Sequence, residues 1–234
     1  MSYKGKILFL YDIDGTLVKL DKTGRIIYQQ ALSEVLKKDI SLEHIEWIGT
    51  TDIEVIHKVI EENGFFGKQS VIKMFQVFEK ISFLFRELIE KTPEKLSILP
   101  YAYEVSEWTY NNYYNCLLTG NIKEVAYMKL YPFKLDKFFP IGAFGDEKKD
   151  RIKLVPIAIK RAKEYYNTDF EDYIIVGDSH RDIIAAKANN IKSIIVTTGK
   201  MSKEELQPYS PDYIIESLNQ LPKIVKTFSF TPNV

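Results

Sequence analysis

The chain has 234 residues, which is enough for one large domain or for a core domain that carries a modest insertion. Its 32 Lys and Arg residues equal its 32 Asp and Glu residues, so no net charge attracts nucleic acid or an anionic membrane, and we expect neither as a partner. Its apolar stretches are far shorter than the roughly 20 residues of a membrane helix. Cys116 is the only cysteine, which excludes an internal disulfide and fits a reducing compartment. These features predict a soluble cytoplasmic protein.

A short apolar run from Ile7 to Tyr11 predicts a buried strand, and a long helical segment follows it. Between Gly24 and Lys91 the apolar residues recur at steps of three and four, which is the spacing of amphipathic helices. We interpret residues 18–91 as a helical insertion after the first strand, with the β-like pattern ending at Leu17. Its phenylalanines are expected to form the core of the insertion: Phe65, Phe66, Phe75, Phe78, Phe83 and Phe85.

Strand and helix patterns alternate through the rest of the chain, from Ile98 onward. Strands are predicted at residues 114–118, 139–144, 173–176, 193–196 and 213–215, and helices at residues 122–130, 154–166, 183–189, 202–206 and 221–228. This alternation predicts an α/β fold with a Rossmann-like parallel sheet and helices on both faces. The core domain is then residues 1–17 plus 92–234, and the last six residues are expected to fray.

Three polar segments begin where predicted strands end, and they are Asp12 to Thr16, Thr119 to Asn121, and Gly177 to Asp182. Parallel strands bring their carboxyl ends to one edge of a sheet, so the three segments should lie close together. Residues two apart on an extended segment point the same way, which places Asp12 and Asp14 on one side. This edge is the candidate functional site.

The side chains of these segments favour phosphoryl chemistry. Asp12, ionised at neutral pH, can attack phosphorus and form an aspartyl-phosphate, while Asp14 can protonate the leaving oxygen and then deprotonate the attacking water. The Thr119 hydroxyl and the backbone amides of Gly120 and Asn121, at a helix N-terminus, can bind phosphoryl oxygens. Taken alone, Asp14 also fits a turn-capping aspartate, and Thr-Gly-Asn also fits a helix cap.

Four carboxylates would meet at this edge, and these are Asp12, Asp14, Asp178 and Asp182. Four acids around one point repel one another strongly unless a divalent cation lies between them. Oxygen-only ligation favours Mg²⁺ over Zn²⁺. The sequence therefore predicts a Mg²⁺ cofactor held by these acids.

The segments DIDGT, TGN and GDSHRD resemble the first, second and fourth motifs of the haloacid dehalogenase superfamily. Most members are Mg²⁺-dependent phosphohydrolases, and the resemblance implies that Asp178 ligates the metal while Asp182 supports it, often through water. The helical insertion resembles the type 1 cap of phosphoglycolate-phosphatase-like members, which closes over the substrate. Within it, the junction from Trp47 to Asp52 fits two readings: it caps a helix through Thr51 or Asp52, or it presents amides to a ligand.

The third motif of the superfamily is a basic residue, usually a Lys before a proline, that holds the nucleophile and the phosphate. This chain has no such pair in DRIKLVPIAIKRA and offers Arg151 or Lys153 instead. The phase of the following helix, aligned on Ile157, favours Arg151, whereas counting back from Asp178 favours Lys153. We favour Arg151, because helix phase is firmer than a count across a variable loop and a guanidinium can bridge phosphate and carboxylate.

These assignments predict a Mg²⁺-dependent phosphatase that hydrolyses a small phosphomonoester through an aspartyl-phosphate. The predicted catalytic residues are Asp12, Asp14, Thr119 and Arg151, and the predicted substrate-binding residues are Gly15, Thr16, Thr119, Gly120, Asn121, Arg151 and Lys153. A sugar phosphomutase of the same superfamily and a catalytically silent binding module are the alternatives. The expected partner is a small phosphorylated metabolite, and the sequence leaves its identity and the oligomeric state open.

Overall fold

The computed structural model describes residues 4–228, and a six-stranded parallel sheet lies at the centre of this range. Residues 229–234, for which the sequence predicts a frayed end, lie outside it. The strands are β1 (Ile7–Tyr11), β2 (Val18–Leu20), β3 (Leu96–Ile98), β4 (Tyr114–Leu118), β5 (Gly142–Ala143), β6 (Asp172–Gly177), β7 (Lys192–Val196) and β8 (Tyr213–Ile215). The sheet has the order β5-β4-β1-β6-β7-β8. All five residues of β1 are buried, so its sequence is continuously apolar rather than alternating.

Helices cover both faces of this sheet, as the sequence predicts. They are α1 (Thr23–Leu36), α2 (Asp52–Glu62), α3 (Gly67–Lys91), α4 (Ala102–Asn112), α5 (Lys123–Leu130), α6 (Leu154–Tyr166), α7 (His180–Ala188), α8 (Lys203–Leu206) and α9 (Leu221–Phe228). Phe9 and Tyr11 of β1 pack in one cluster with α4, α5 and α9, while Leu8 and Leu10 pack in another with α6 and α7. Alternate side chains of β1 therefore pack into hydrophobic cores on opposite faces of the sheet. The predicted Rossmann-like α/β class is confirmed.

Helices α1, α2 and α3 form a three-helix unit, and its hydrophobic cluster also includes Ile122 and Val125 at the start of α5. An antiparallel ribbon of β2 and β3, in which Val18 pairs with Ile98, joins this unit to the sheet at both ends. The prediction that β structure stops at Leu17 is therefore wrong, and Ile98 belongs to the ribbon rather than the sheet. Each ribbon strand has three residues, too few to show a period of two, and its partner is distant in the chain.

The phenylalanines of residues 65–85 do not all line the core of the three-helix unit. Phe85 is 1% exposed, but Phe66, Phe75 and Phe83 are 64%, 61% and 51% exposed. Helix α3 has 25 residues and buries only the part of its surface that packs against α1, α2 and α5, so its other residues face solvent whatever their type. The predicted insertion core is wrong for these three residues.

The predicted strand at residues 139–144 is also shorter in the structure, where only Gly142 and Ala143 pair with β4. Pro140 has no backbone N–H for a ladder hydrogen bond, and a 3₁₀ turn ending at Phe138 precedes it. Among the helices between residues 4 and 228, none has both the length and the hydropathy that crossing a membrane demands.

Candidate active site

The chain turns sharply at the carboxyl end of β1, where Asp12 lies. The Asp12 amide still donates to Val176 of β6, and the carbonyl of Ile13 then accepts from three successive amides, those of residues 16–18. Gly15 has a φ of +77° in this turn, and a Cβ there would collide with the Asp178 carboxylate. The turn therefore needs glycine for two reasons, a left-handed backbone and a close approach.

The two first-motif residues that sequence reasoning assigns to substrate binding, Gly15 and Thr16, differ in their contacts within the protein. The Gly15 amide donates to the carbonyl of Val18 at 2.8 Å, which leaves it no hydrogen for a phosphate. Thr16 is fully buried, and its hydroxyl has no hydrogen-bond partner among the described residues.

Asp12, Asp178 and Asp182 form an acidic cluster in which one carboxylate oxygen from each lies within 4.8 Å of the others. Asp12 and Asp182 are 6% and 0% exposed. Burial, reinforced by the neighbouring carboxylates, raises the pKa of Asp12 to about 6 and holds the pKa of Asp178 well above its usual range. The structure thus brings together three of the four acids that the sequence predicts as metal ligands.

Arg151 is the basic residue that faces this cluster. Its Nη2 lies 2.6 Å from Asp182 and 3.2 Å from Asp12, and it donates to the Leu118 carbonyl at 3.0 Å. Burial by itself would lower the pKa of Arg151, yet the two carboxylates hold it above its usual value. Lys153, the alternative candidate, lies at the end of the same short 3₁₀ turn and is exposed. The geometry therefore favours Arg151 for the third-motif role.

The net charge of the cluster suits a divalent cation. Three carboxylates face one guanidinium, so two negative charges stay uncompensated when all are ionised. Asp182 is already engaged, because one oxygen pairs with Arg151 and the other accepts from the amide and hydroxyl of Ser179. The oxygens of Asp12 and Asp178 are therefore better placed to hold Mg²⁺. Asp182 instead holds Arg151 and Ser179 in position.

The carboxylate of Asp14 lies outside this cluster, beside a second basic residue. Lys129 donates from Nζ to both Asp14 oxygens, at 2.9 and 2.7 Å, and the Asn121 side-chain amide donates to Asp14 at 2.7 Å. In the structure the Asp14 carboxylate therefore pairs with Lys129 and Asn121. Its predicted part in metal binding stays a prediction.

Lys129 was missed by sequence reasoning, although a signal for it exists. Val125, Ala126 and Leu130 are buried residues of α5, and Lys129 falls on the same helical face at a spacing of three and four. A lysine on a buried helical face needs a charged partner, and the nearest polar edge of the sheet supplies one. The spacing of three and four residues along α5 could therefore have identified Lys129 as a buried lysine.

The Thr119 to Asn121 segment lies beside Asp14 and Lys129, immediately before α5. The sequence predicts a helix from residue 122, and in the structure α5 begins at Lys123 with Ile122 as its N-cap. The carbonyl of Gly120 accepts from the amide of Asp52, and the buried Thr119 hydroxyl accepts from the Asn121 side chain at 2.8 Å. The segment therefore links the sheet edge to the three-helix unit.

The start of α2 is docked on the sheet edge. The amides of Asp52 and Ile53 donate to the carbonyls of Gly120 and Gly145, at 2.7 and 3.0 Å. The Thr51 hydroxyl accepts from an amide in the first turn of α2, which confirms the predicted helix cap. In this arrangement the first amides of α2 hold the sheet edge rather than a ligand.

Asp52 is the buried centre of this contact. One carboxylate oxygen accepts from the Tyr28 hydroxyl at 2.6 Å and from the amide of Ile122 at 2.8 Å. Burial raises the pKa of Asp52 to about 7, although the hydrogen bond from Tyr28 and the charge of Lys129 oppose that rise. Through these two hydrogen bonds Asp52 connects α2 to α1 and to the N-cap of α5.

A loop after β7 completes the site and was also absent from the sequence prediction. The Thr198 hydroxyl donates to the carbonyl of Gly15 at 2.6 Å. A Cβ on Gly199 would collide with Asp178, so the loop approaches that carboxylate as closely as backbone allows. Asp178 is therefore held between two glycines, Gly15 and Gly199.

The buried acids and Arg151 lie at the carboxyl edge of a parallel sheet, which is where open α/β folds bind their ligands. The chain belongs to the haloacid dehalogenase-like hydrolase family, whose model matches residues 9–196. The predicted superfamily is thereby confirmed.

Relatives and solved structures agree with this assignment. The chain is 22% identical to "Pyrophosphatase PpaX" of Bacillus mycoides, over 91% of this chain and 93% of the relative. It is 23% identical to "Phosphoglycolate phosphatase" of Colwellia psychrerythraea, over 94% of this chain and 97% of the relative. The fold is similar to that of a hydrolase from Pseudomonas syringae, with a TM-score of 0.68 at 19% identity, over 93% of this chain and 97% of that one.

Proposed function

We propose that the protein is a Mg²⁺-dependent phosphatase that hydrolyses a small phosphomonoester through an aspartyl-phosphate on Asp12. The observation that carries the proposal is the pairing of Asp12 with Arg151 inside an acidic cluster at the carboxyl edge of the sheet. A carboxylate nucleophile needs a fixed direction of attack, and an arginine can hold both it and a phosphoryl oxygen.

Each residue has a defined task in this proposal. Asp12 attacks phosphorus, and Asp14 gives a proton to the leaving oxygen and later takes one from water. Arg151 orients Asp12 through the 3.2 Å contact and compensates charge on the phosphoryl group. The Thr119 hydroxyl accepts from the Asn121 side chain and can give its own hydrogen to a phosphoryl oxygen, while Asn121 uses both side-chain hydrogens to hold Asp14 and Thr119 in place.

Asp12 and Asp178 are the residues that would hold Mg²⁺. The cation would supply charge compensation for the carboxylates and the phosphoryl group, which lets all of them be ionised at one place. Asp182 keeps Arg151 and the start of α7 in position through its contacts with Arg151 and Ser179.

The three-helix unit acts as a cap in this proposal. Its contacts with Gly120 and Gly145 place the start of α2 directly over the sheet edge, where it excludes water from the reacting phosphate. Arg181 adds a surface ion pair with Glu54 across the same junction at 3.3 Å. A site closed in this way favours small substrates, and the names of the relatives, pyrophosphatase and phosphoglycolate phosphatase, place small phosphorylated molecules first in a panel.

The test is phosphate release from that panel with Mg²⁺, for the wild-type protein and Asp12→Asn. We expect Mg²⁺-dependent turnover that chelation abolishes and Asp12→Asn lowers at least about 1,000-fold, because a carboxamide is not a nucleophile here. Asp169→Asn is the matched control, since the Asp169 side chain is 92% exposed. Undiminished turnover by Asp12→Asn would refute the proposal.

Two alternatives predict different results in the same assay. A sugar phosphomutase would convert a hexose 1-phosphate to an isomeric sugar phosphate with little free phosphate, which product analysis resolves. A silent binding module would bind a phosphorylated ligand in calorimetry without releasing phosphate from it.

A further inference from the structure

Lys129 is a buried cation close to the reacting carboxylates, and its contacts use its full donor capacity. Its side chain is 5% exposed, and Nζ donates to the two oxygens of Asp14 and, at 2.6 Å, to the side-chain oxygen of Asn121. An ammonium group has three hydrogens, and here three acceptors take them. Burying an ammonium is costly unless it is paired, so the network compensates a substantial desolvation cost.

The partners of Lys129 are also tied to one another. The Asn121 side chain donates to Asp14 at 2.7 Å and to the Thr119 hydroxyl at 2.8 Å. Asp14 therefore receives hydrogen bonds from two residues, which restrict its rotation from two directions. Thr119, Asn121, Asp14 and Lys129 form one connected chain of polar contacts, which we call the Lys129 network.

This network is separate from the Arg151 contacts. Arg151 meets Asp12, Asp182 and the Leu118 carbonyl, and it shares none of these partners with Lys129. The two basic residues thus divide the site, with the guanidinium on the nucleophile and the ammonium on Asp14. A single basic residue, as the sequence predicts, accounts for only one of the two carboxylates.

The three-helix unit covers the network. The ring of Phe85, in the core of that unit, lies with its centroid 5.3 Å from Nζ of Lys129. An aromatic face against the ammonium excludes water from the pair, and a lower local dielectric strengthens its hydrogen bonds. The geometry of Asp14 therefore depends on contacts from the sheet edge, α5 and the helical unit together.

We propose that Lys129 is a positioning residue that holds the Asp14 carboxylate in the direction needed for proton transfer to the leaving group. The inference rests on the proposed phosphatase function and adds a residue to it. In the first step the Asp12 oxygen bonds to phosphorus, the bond from phosphorus to the ester oxygen breaks, and the proton of Asp14 passes to that oxygen. In the second step water attacks phosphorus, its proton passes to Asp14, and the Asp12–phosphorus bond breaks.

Leaving-group dependence separates this role from a merely structural one. A poor leaving group such as an alkoxide needs the proton from Asp14, whereas 4-nitrophenolate leaves without one. In Lys129→Met we expect kcat/KM to fall about 100-fold for an alkyl phosphate and less than about fivefold for 4-nitrophenyl phosphate, because kcat/KM covers the steps up to departure of the leaving group and not the later hydrolysis of the aspartyl-phosphate. Lys123→Met is the matched control, because Lys123 lies on the same helix and is exposed.

A double-mutant cycle tests whether Lys129 acts through Asp14. In an Asp14→Asn background, Lys129→Met should lower kcat/KM for the alkyl phosphate by less than about threefold, because the group that it positions is already gone. An equal loss for both esters or independent losses in the cycle would each overturn the inference.

Two further controls keep the result interpretable. Circular dichroism and thermal unfolding establish that Lys129→Met folds. If it does not, Lys129→Gln replaces it: its amide can still donate to Asp14 but lacks the charge, so we expect a smaller loss that still falls mainly on the alkyl phosphate. A wild-type protein that releases no phosphate from any ester would instead refute the proposed function itself.

Discussion

Replacing Arg151 with Met removes a cation that is in contact with two buried carboxylates. In the structure Nη2 of Arg151 is 2.6 Å from Asp182 and 3.2 Å from Asp12, and all three side chains are at most 8% exposed. The Leu118 carbonyl also loses its donor. A methionine fills much of the volume but satisfies none of these groups, so the change isolates the charge and the hydrogen bonds.

The magnitude follows from the partners left behind. Breaking a buried ion pair by removing one member costs about 3–5 kcal/mol. Asp182 keeps its bonds from Ser179, which limit the loss. The pKa of Asp12 is already raised by burial to about 6, so Asp12 can take up a proton. We therefore expect the low end, about 3 kcal/mol, which corresponds to a fall in Tm of about 6–12 °C for a chain of this size.

The assay is thermal unfolding of Arg151→Met beside Lys153→Met, with phosphatase activity measured in parallel. Lys153 is exposed and lies in the same short turn, so its replacement should leave Tm and turnover near those of the wild type. Arg151→Met should lose activity by at least about 100-fold, because the nucleophile loses its fixed direction. Equal Tm values for the two variants, or a greater loss of activity in Lys153→Met, would refute the reasoning and restore Lys153 as the phosphate-holding residue.

Three further outcomes are expected. Because the pKa of Asp52 is about 7 when folded and near 3.8 when unfolded, the folded protein binds the extra proton, so the free energy of unfolding should fall between about pH 4 and 7 by at most about 4 kcal/mol. Asp52→Asn, which keeps an oxygen for Tyr28 and Ile122, should reduce this dependence of the unfolding free energy on pH, as denaturant titrations at several pH values would show. An unchanged pH dependence would contradict the prediction. The titratable groups that face Asp52 are Tyr28, Lys129 and Asp14. Mg²⁺ at about 100 times its Kd should stabilise the wild-type protein by about 2.7 kcal/mol, and Asp178→Asn should lose most of that increase, as thermal shift with and without chelator would show. Gly199→Ala should weaken Mg²⁺ binding in calorimetry, because its Cβ collides with the Asp178 carboxylate, whereas Gly64→Ala meets no atom within 4 Å and should leave binding intact.

Local patterns in the sequence were enough to predict the class of the sheet and the acidic residues that meet at its edge. The predicted bounds of β1, β4, β8, α6 and α9 match the structure, because each is an apolar run or stripe with clear breaks at both ends. Polar residues at the ends of β1 and β6 predicted an acidic edge, and Asp12, Asp178 and Asp182 do meet there. Parallel strands make that convergence a consequence of topology rather than of detailed packing.

Tertiary structure alone decided how the remaining charges are shared. The partner of a buried polar group depends on elements far apart in the chain. Lys129 pairs with Asp14, and the Asp52 carboxylate accepts from the amide of Ile122. The ribbon of β2 and β3 has the same origin, since neither strand is recognisable without its partner. A sequence specifies which groups can ionise or donate, but burial and distance, which only the folded chain has, determine which of them pair.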